Sequence, residues 1–86
     1  MKRIIETTEA NAFESLLGED VLIFCLNYIY TGKLVAVNET TLSLSSPKIV
    51  YETGSFSEKE YKDAQPLQCD TWHILLSSIE SFGKSK

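Results

Sequence analysis

The chain has little of what most protein chemistry is built from: one histidine, two cysteines, one methionine, one tryptophan, two prolines and four glycines. A structural zinc site takes about four nitrogen or sulfur ligands. With His73 alone, and with Cys25 in an apolar run and Cys69 in a polar one, no metal centre is expected. Cys25 reads as a small buried hydrophobe, and Cys69 as an exposed or half-exposed thiol. A nucleophilic Cys69 would need a base and a group to orient that base; His73 is the single candidate base, and no third group is evident. There is no disulfide framework, no glycine loop to cradle a phosphate and no triad. No catalytic residue, no cofactor and no enzymatic activity are expected.

Long apolar runs are missing as well. No stretch approaches the roughly 20 residues of a membrane span. Met1-Lys-Arg-Ile-Ile-Glu is charged where a signal peptide would carry its apolar region. Asn38-Glu39-Thr40 matches the glycosylation sequon, which means nothing without a secretory signal. The expected setting is the reduced cytoplasm, with no membrane partner. Cations are the minority, eight Lys and Arg against twelve Asp and Glu, for a net charge of −4. Nucleic-acid affinity draws heavily on phosphate neutralisation, so the overall charge weighs against RNA and leaves it only a local basic face.

What the chain does have is β-forming sequence, centred on Asp20–Ser46. Val21 to Tyr30 is apolar on both faces, so both sides of that strand should be covered. Asn27-Tyr28 suits a tight hairpin. Leu34, Ala36, Leu42 and Leu44 keep a period of two across a turn at Asn38-Glu39-Thr40. Gly32, inside a strand pattern, marks a sharp bend or a close backbone approach. Ser45-Ser46-Pro47 ends or bulges the third strand before Lys48–Glu52 resumes it. Thr71–Leu76 reads as a fourth strand, Ser77-Ser78 as a turn, Ile79–Phe82 as a short fifth strand and Gly83–Lys86 as a frayed basic tail.

Around that ribbon stand three weaker segments. Residues 1–6 form an arm whose Ile4 and Ile5 either join a sheet edge or simply lead in. Ala10, Phe13, Leu16 and Leu17 share one face of a short helix over about residues 8–17, with Thr7 or Thr8 as its cap and Gly18 as its stop. So short a helix does not hold alone in water, and it should lay Phe13, Leu16 and Leu17 on the sheet. Thr53–Asp70 is polar and mixed in charge: either a long hairpin with an irregular tip or a mobile loop. Its Glu58, Glu60 and Asp63 lack an apolar enclosure and read as a solvated cluster, not an acid/base pair. Residues 1–86 make one domain. A chain this short buries only about 60–65 % of its unfolded surface, so association that covers strand edges is favoured.

The layout of short helix, five strands, a bending glycine in the second strand and Leu-Ser-Ser-Ile-Glu-Ser before a brief last strand resembles the Sm/LSm family, with its bacterial Hfq branch the nearest in arrangement. Gly32-Lys33-Leu34 is similar to the family's G-x-L. Asn38 falls at the family's loop Asp, and Ile79 at the isoleucine that opens its second motif. The likeness covers residues 8–83, with Thr53–Asp70 as an insertion. It implies an all-β, strongly bent, five-stranded antiparallel barrel of SH3 type with an N-terminal helix, over about residues 20–83. It also implies a homo-oligomeric ring of about five to seven copies, sealed edge to edge.

Single-stranded RNA is the ligand the resemblance implies. Asn38, Glu39, Thr40 and Thr41 would then face it, with Lys33 and Lys48 on phosphates, and Trp72, Ile74, Leu76, Ile79 and Phe82 would form the subunit seam. The departures count against uridine. The family's Asn after the loop Asp becomes Thr41 or Leu42, and Glu80-Ser81 stands where an Arg-Gly pair would follow Ile79. His73 is read first as a surface or interface residue and second as a partner for a base. Tyr28, Tyr30, Tyr51, Phe56, Tyr61 and Trp72 are read as core or interface packing before stacking platforms. The leading reading is an RNA-binding ring module. The alternatives are a protein–protein scaffold ring that does not bind RNA and a monomeric SH3-like adaptor.

Overall fold

Val21, Leu22 and Ile23 are consecutive and each at most 5 % exposed, which a half-solvated strand, alternating face by face, cannot produce. A computed structural model, describing residues 9–86 and side chains from Ala12 onward, shows how both faces come to be covered. Strand β1 (Asp20–Cys25) is flanked by β2 (Ile29–Val37) and β6 (Ile79–Lys84). Beyond β2 lies β3 (Thr41–Glu52), a long strand whose two halves take different partners. Its first half pairs with β5 (Thr71–Leu75) and its second with β4 (Asp63–Pro66). All pairings are antiparallel, in the order β4-β3-β2-β1-β6 with β5 also on β3.

The bend between those halves is written into the backbone. Opposite Gly32 the β2–β3 register slips, so that Thr31 faces Lys48 while Lys33 faces Ser45. A Cβ on Gly32 would stand 3.0 Å from the Ser45 carbonyl oxygen, 3.1 Å from Leu44 Cβ and 3.3 Å from Pro47 Cα. This is the close approach expected of a glycine in a strand. The extra residues form a bulge, and Ser46 sits in it with φ at 49°. The ribbon curls around Val21, Ile23, Leu34, Leu42, Leu44 and Ile74, each at most 4 % exposed. Each such side chain contributes about 1.5–3 kcal/mol by leaving water.

Several expectations are revised. Helix α1 spans Glu9–Glu14 and gives way to turns before residue 17. The Leu16 and Leu17 amides donate back three residues to Phe13 and Glu14, tightening the end. Phe13 packs on the core and stacks on Phe82 at 4.0 Å, and Leu16 is half-buried, but Leu17 is 44 % exposed. Gly18, expected as the stop of the helix, lies four residues past its end at φ 85°, and its N–H donates to the Leu34 carbonyl on β2, not back into the helix. The proposed arm, Thr7 and Thr8 lie outside the described residues, as does the side chain of Ala10.

The sheet has six strands where five were expected. The Thr53–Asp70 segment is a hairpin, with β4 in its returning limb. Strand β1 ends at Cys25, which is half-buried, and Leu26 is 70 % exposed. The tail is not frayed: β6 runs to Lys84, Ser85 N–H donates to Asp20, and Lys86 Nζ donates to the Thr53 and Ser55 carbonyls.

Candidate nucleic-acid interface and assembly edges

Asn38 organises the β2–β3 hairpin. Its Oδ1 accepts from the Thr40 amide at 2.9 Å and the Thr41 amide at 2.8 Å, while its own N–H donates to the Thr41 carbonyl. This is the side-chain turn that asparagine makes more readily than most residues. It also spends the Asn38 oxygen on the loop itself. The Leu76 N–H donates to the Thr40 carbonyl at 2.9 Å, which brings the 3-10 turn Leu76–Ser78 beneath the hairpin. Ser78 Oγ donates to the Leu75 carbonyl, and the Ser78 carbonyl accepts from Leu26. One end of the barrel therefore carries two short polar turns side by side.

The six candidate RNA contacts do not all meet there. Asn38, Glu39, Thr40 and Thr41 form the hairpin, with the first three exposed and Thr41 half-buried. Lys33 is exposed five residues back along β2, roughly 16 Å by strand rise. Lys48 is seven residues beyond Thr41 on β3 and past the bulge, so it belongs to the other half of the barrel. Leu42 is fully buried in the core, so the position after the hairpin offers no polar group. Glu80 is exposed and borders a small hollow with Phe13, Leu76, Ile79 and Phe82.

The five candidate seam residues sort differently. Ile74 is 4 % exposed in the protomer's own core. Trp72, Leu76, Ile79 and Phe82 are half-buried against that core. Strand edges are another matter. Among the described residues β5 pairs with β3 alone and β6 with β1 alone, so each has one open edge. The Leu76 amide points toward β3, and donors alternate along a strand, which turns the His73 and Leu75 amides outward. By the same alternation from Ser85, the Phe82 and Lys84 amides face out from β6.

Aromatic exposure is larger than sequence reasoning allowed. Tyr28, Tyr51 and Phe56 are 54 %, 59 % and 60 % exposed. Tyr30 lies 6.4 Å from Tyr28 and 6.3 Å from Trp72, ring centre to ring centre. With His73, whose Nδ1 is 2.7 Å from Ser43 Oγ, these rings line a hollow of about 350 Å³. Burial pushes the Tyr30 phenol up, with Cys25 and Tyr28 adding to it, and pushes the Cys25 thiol up against a hydrogen bond from Ser78. Tyrosine favours strands on any face, so periodicity alone had no means of telling which rings stay in solvent. Among the described residues no group of His, Cys, Asp and Glu is placed to hold a metal ion, and no helix is long and apolar enough to cross a membrane.

The architecture matches a solved structure. The Sm protein of Pyrococcus abyssii in complex with a uridine heptamer superposes with a TM-score of 0.67, over 92 % of this chain and all of that one, at 11 % identity. No protein-family model and no curated protein matches the sequence. The fold is Sm-like: a strongly bent antiparallel small β-barrel with a short helix packed on it.

Proposed function

We propose that the chain is a non-enzymatic Sm-like module that assembles into a homo-oligomeric ring and binds single-stranded RNA at the hairpin Asn38–Thr41. The observation that carries this reading is the pair of longer open edges, β5 and β6; β4 also pairs with β3 alone, but it is four residues long and ends in Pro66, which blunts its edge. Strands β5 and β6 each have outward amides and no second strand among the described residues. Two unlike edges on one protomer make a head-to-tail contact, which closes into a ring when the rotation permits. Edge strands left unpaired are otherwise a liability. The neighbour of this fold was solved with a uridine heptamer, which supports RNA as the ligand class. We place the ring in the cytoplasm.

One observation favours a second reading, a scaffold ring that binds protein and not RNA. The Asn38 oxygen is engaged within its own turn, Leu42 is buried, and Glu80 presents a carboxylate where a cation would meet phosphate. Mass by light scattering, repeated with oligo-U and oligo-A, separates the readings. A mass of several protomers that grows with RNA supports the RNA ring. An oligomer that ignores both RNAs supports the scaffold, and a monomer overturns both.

A further inference from the structure

The structure describes six lysines, and they divide by whether a carboxylate answers them. Lys62 pairs with Glu52 at 3.7 Å and Lys84 with Glu19 at 3.8 Å, both at the surface. Lys48 and Lys59 form no ion pair among the described residues. With Lys86 they line one groove of about 500 Å³, at the far end of the barrel from the Asn38 hairpin. Half of the described cations of an acidic chain therefore gather in a single concavity.

Lys86 is fixed without being neutralised. Its Nζ donates to the Thr53 carbonyl at 2.6 Å and the Ser55 carbonyl at 2.8 Å, and lies 4.9 Å and 5.2 Å from the ring centres of Tyr61 and Phe56. Carbonyls and π faces hold an ammonium in place and leave its net charge intact. Behind it the groove is walled by hydroxyls. Tyr61 OH and Ser85 Oγ are 2.5 Å apart, and Ser85 Oγ is 3.5 Å from Thr31 Oγ1. The bulge contributes to the lining as well. Ser46, the single non-glycine residue with positive φ among those described, borders the groove beside Gly32.

We infer that this groove binds the phosphate ester of a hydroxyl-bearing sugar, a ribonucleotide in chemical class. The lysines act on the phosphate as point charges. Asp20 and Glu60, which border the same groove, would repel a bare polyanion but accept hydrogen bonds from sugar hydroxyls. The volume lies in the range of small-molecule sites, about 300–1,000 Å³. The source is either a free mononucleotide or a nucleotide of an RNA chain. The groove is lined by residues of a single protomer, none of them from the Asn38 hairpin.

The test is a TROSY-NMR titration of the full chain with inorganic phosphate, AMP and oligo-U, with calorimetry for affinity. AMP should shift the Gly32, Ser46 and Tyr61 amides while leaving Thr40 and Thr41 in place, and its affinity should weaken as salt rises. The double variant Lys48→Ala/Lys59→Ala alters two exposed side chains, and should lower AMP affinity at least tenfold in a chain whose remaining spectrum is unchanged. Asp20→Asn should weaken AMP and not phosphate. Tighter binding of oligo-U than of AMP at these amides assigns the groove to an RNA chain; the reverse assigns it to a free nucleotide. Groove amides unmoved by millimolar phosphate and AMP, or shifts that survive the double variant, overturn the inference. Shifts at Thr40 and Thr41 alone would support the hairpin reading and sink this one.

Discussion

Gly32 is the residue on which the bend depends, and the reason is steric. The three atoms a new Cβ would meet are a carbonyl oxygen, a Cβ and a Cα, none of which can rotate away. Gly32→Ala should therefore destabilise the chain by about 1–3 kcal/mol, the usual range for overpacking, read from the urea midpoint at unchanged slope. A variant as stable as the parent would mean that the bulge relaxes freely. A second residue-scale prediction comes from the end of β1. The Cys25 thiol and the Tyr30 phenol are both pushed above their ordinary values, chiefly by burial. The folded chain holds those protons more tightly than the unfolded one, so this stability is intact below the ordinary pKa values and lost as pH climbs through the raised ones. Melting temperature should be flat near neutrality and fall from about pH 9 upward. In Cys25→Ala the fall should begin later, because the stability tied to the raised Tyr30 phenol is lost only from about pH 10 upward. Parallel curves for parent and variant would show that thiol burial contributes nothing. The role of Gly32 was legible in the sequence because a glycine amid β-formers has few other uses. The half-exposure of Cys25 was not, since an apolar run says nothing about where a strand leaves the core.

Among the elements, the β2–β3 hairpin is held by one side chain. Asn38→Ala removes the acceptor of two backbone amides, and about 1 kcal/mol of stability should go with it. Asn38→Asp keeps an acceptor at the same place and should retain most of that stability at neutral pH. Thermal melts of the pair check this; equal losses would mean that chain reversal, not the hydrogen bonds, sets the turn. Because Thr40 also anchors Leu76, amide exchange in the 3-10 turn should quicken in the alanine variant. Turns of this kind are readable from sequence, because asparagine followed by polar residues between apolar alternations has a local cause. The Thr53–Asp70 segment lacks one. Strand β4 is four residues, Asp63–Pro66, with no apolar alternation, and it exists because β3 continues past the bulge and offers an edge. The same holds for the tail, whose order comes from Asp20, Thr53 and Ser55 far away in sequence. Helix α1 shows the converse: apolar spacing carried the expected face through Leu17, while the bonds from Leu16 and Leu17 back three residues end it early.

For the whole molecule, assembly turns on what meets the open edges of β5 and β6. Alternation in Thr71–Leu76 recommended Ile74 as a seam residue, yet Ile74 is 4 % exposed inside the protomer. Sequence alternation marks a buried face without saying whether the same chain or another covers it. Ile74→Lys would place a charge in the core and unfold the protomer, since an unpaired buried charge is far costlier than one edge contact. The informative change lies on the backbone. Leu75 is 59 % exposed and its amide faces outward, so Leu75→Pro removes one donor from the open edge and leaves the β3–β5 ladder intact, the position at which strands tolerate proline. If β5 seats the neighbouring copy, the variant should run as a folded monomer in light scattering, with β-sheet circular dichroism and cooperative melting preserved. Phe82, with its outward amide on β6, gives the complementary half. Phe82→Pro would disturb the stack on Phe13, so N-methylation of the Phe82 amide in a semisynthetic chain is the cleaner probe. Mixing the two blocked chains should form dimers and nothing larger, because each retains one competent edge and a head-to-tail contact needs one of each kind. Full-size oligomers from either blocked chain alone would place the seam elsewhere.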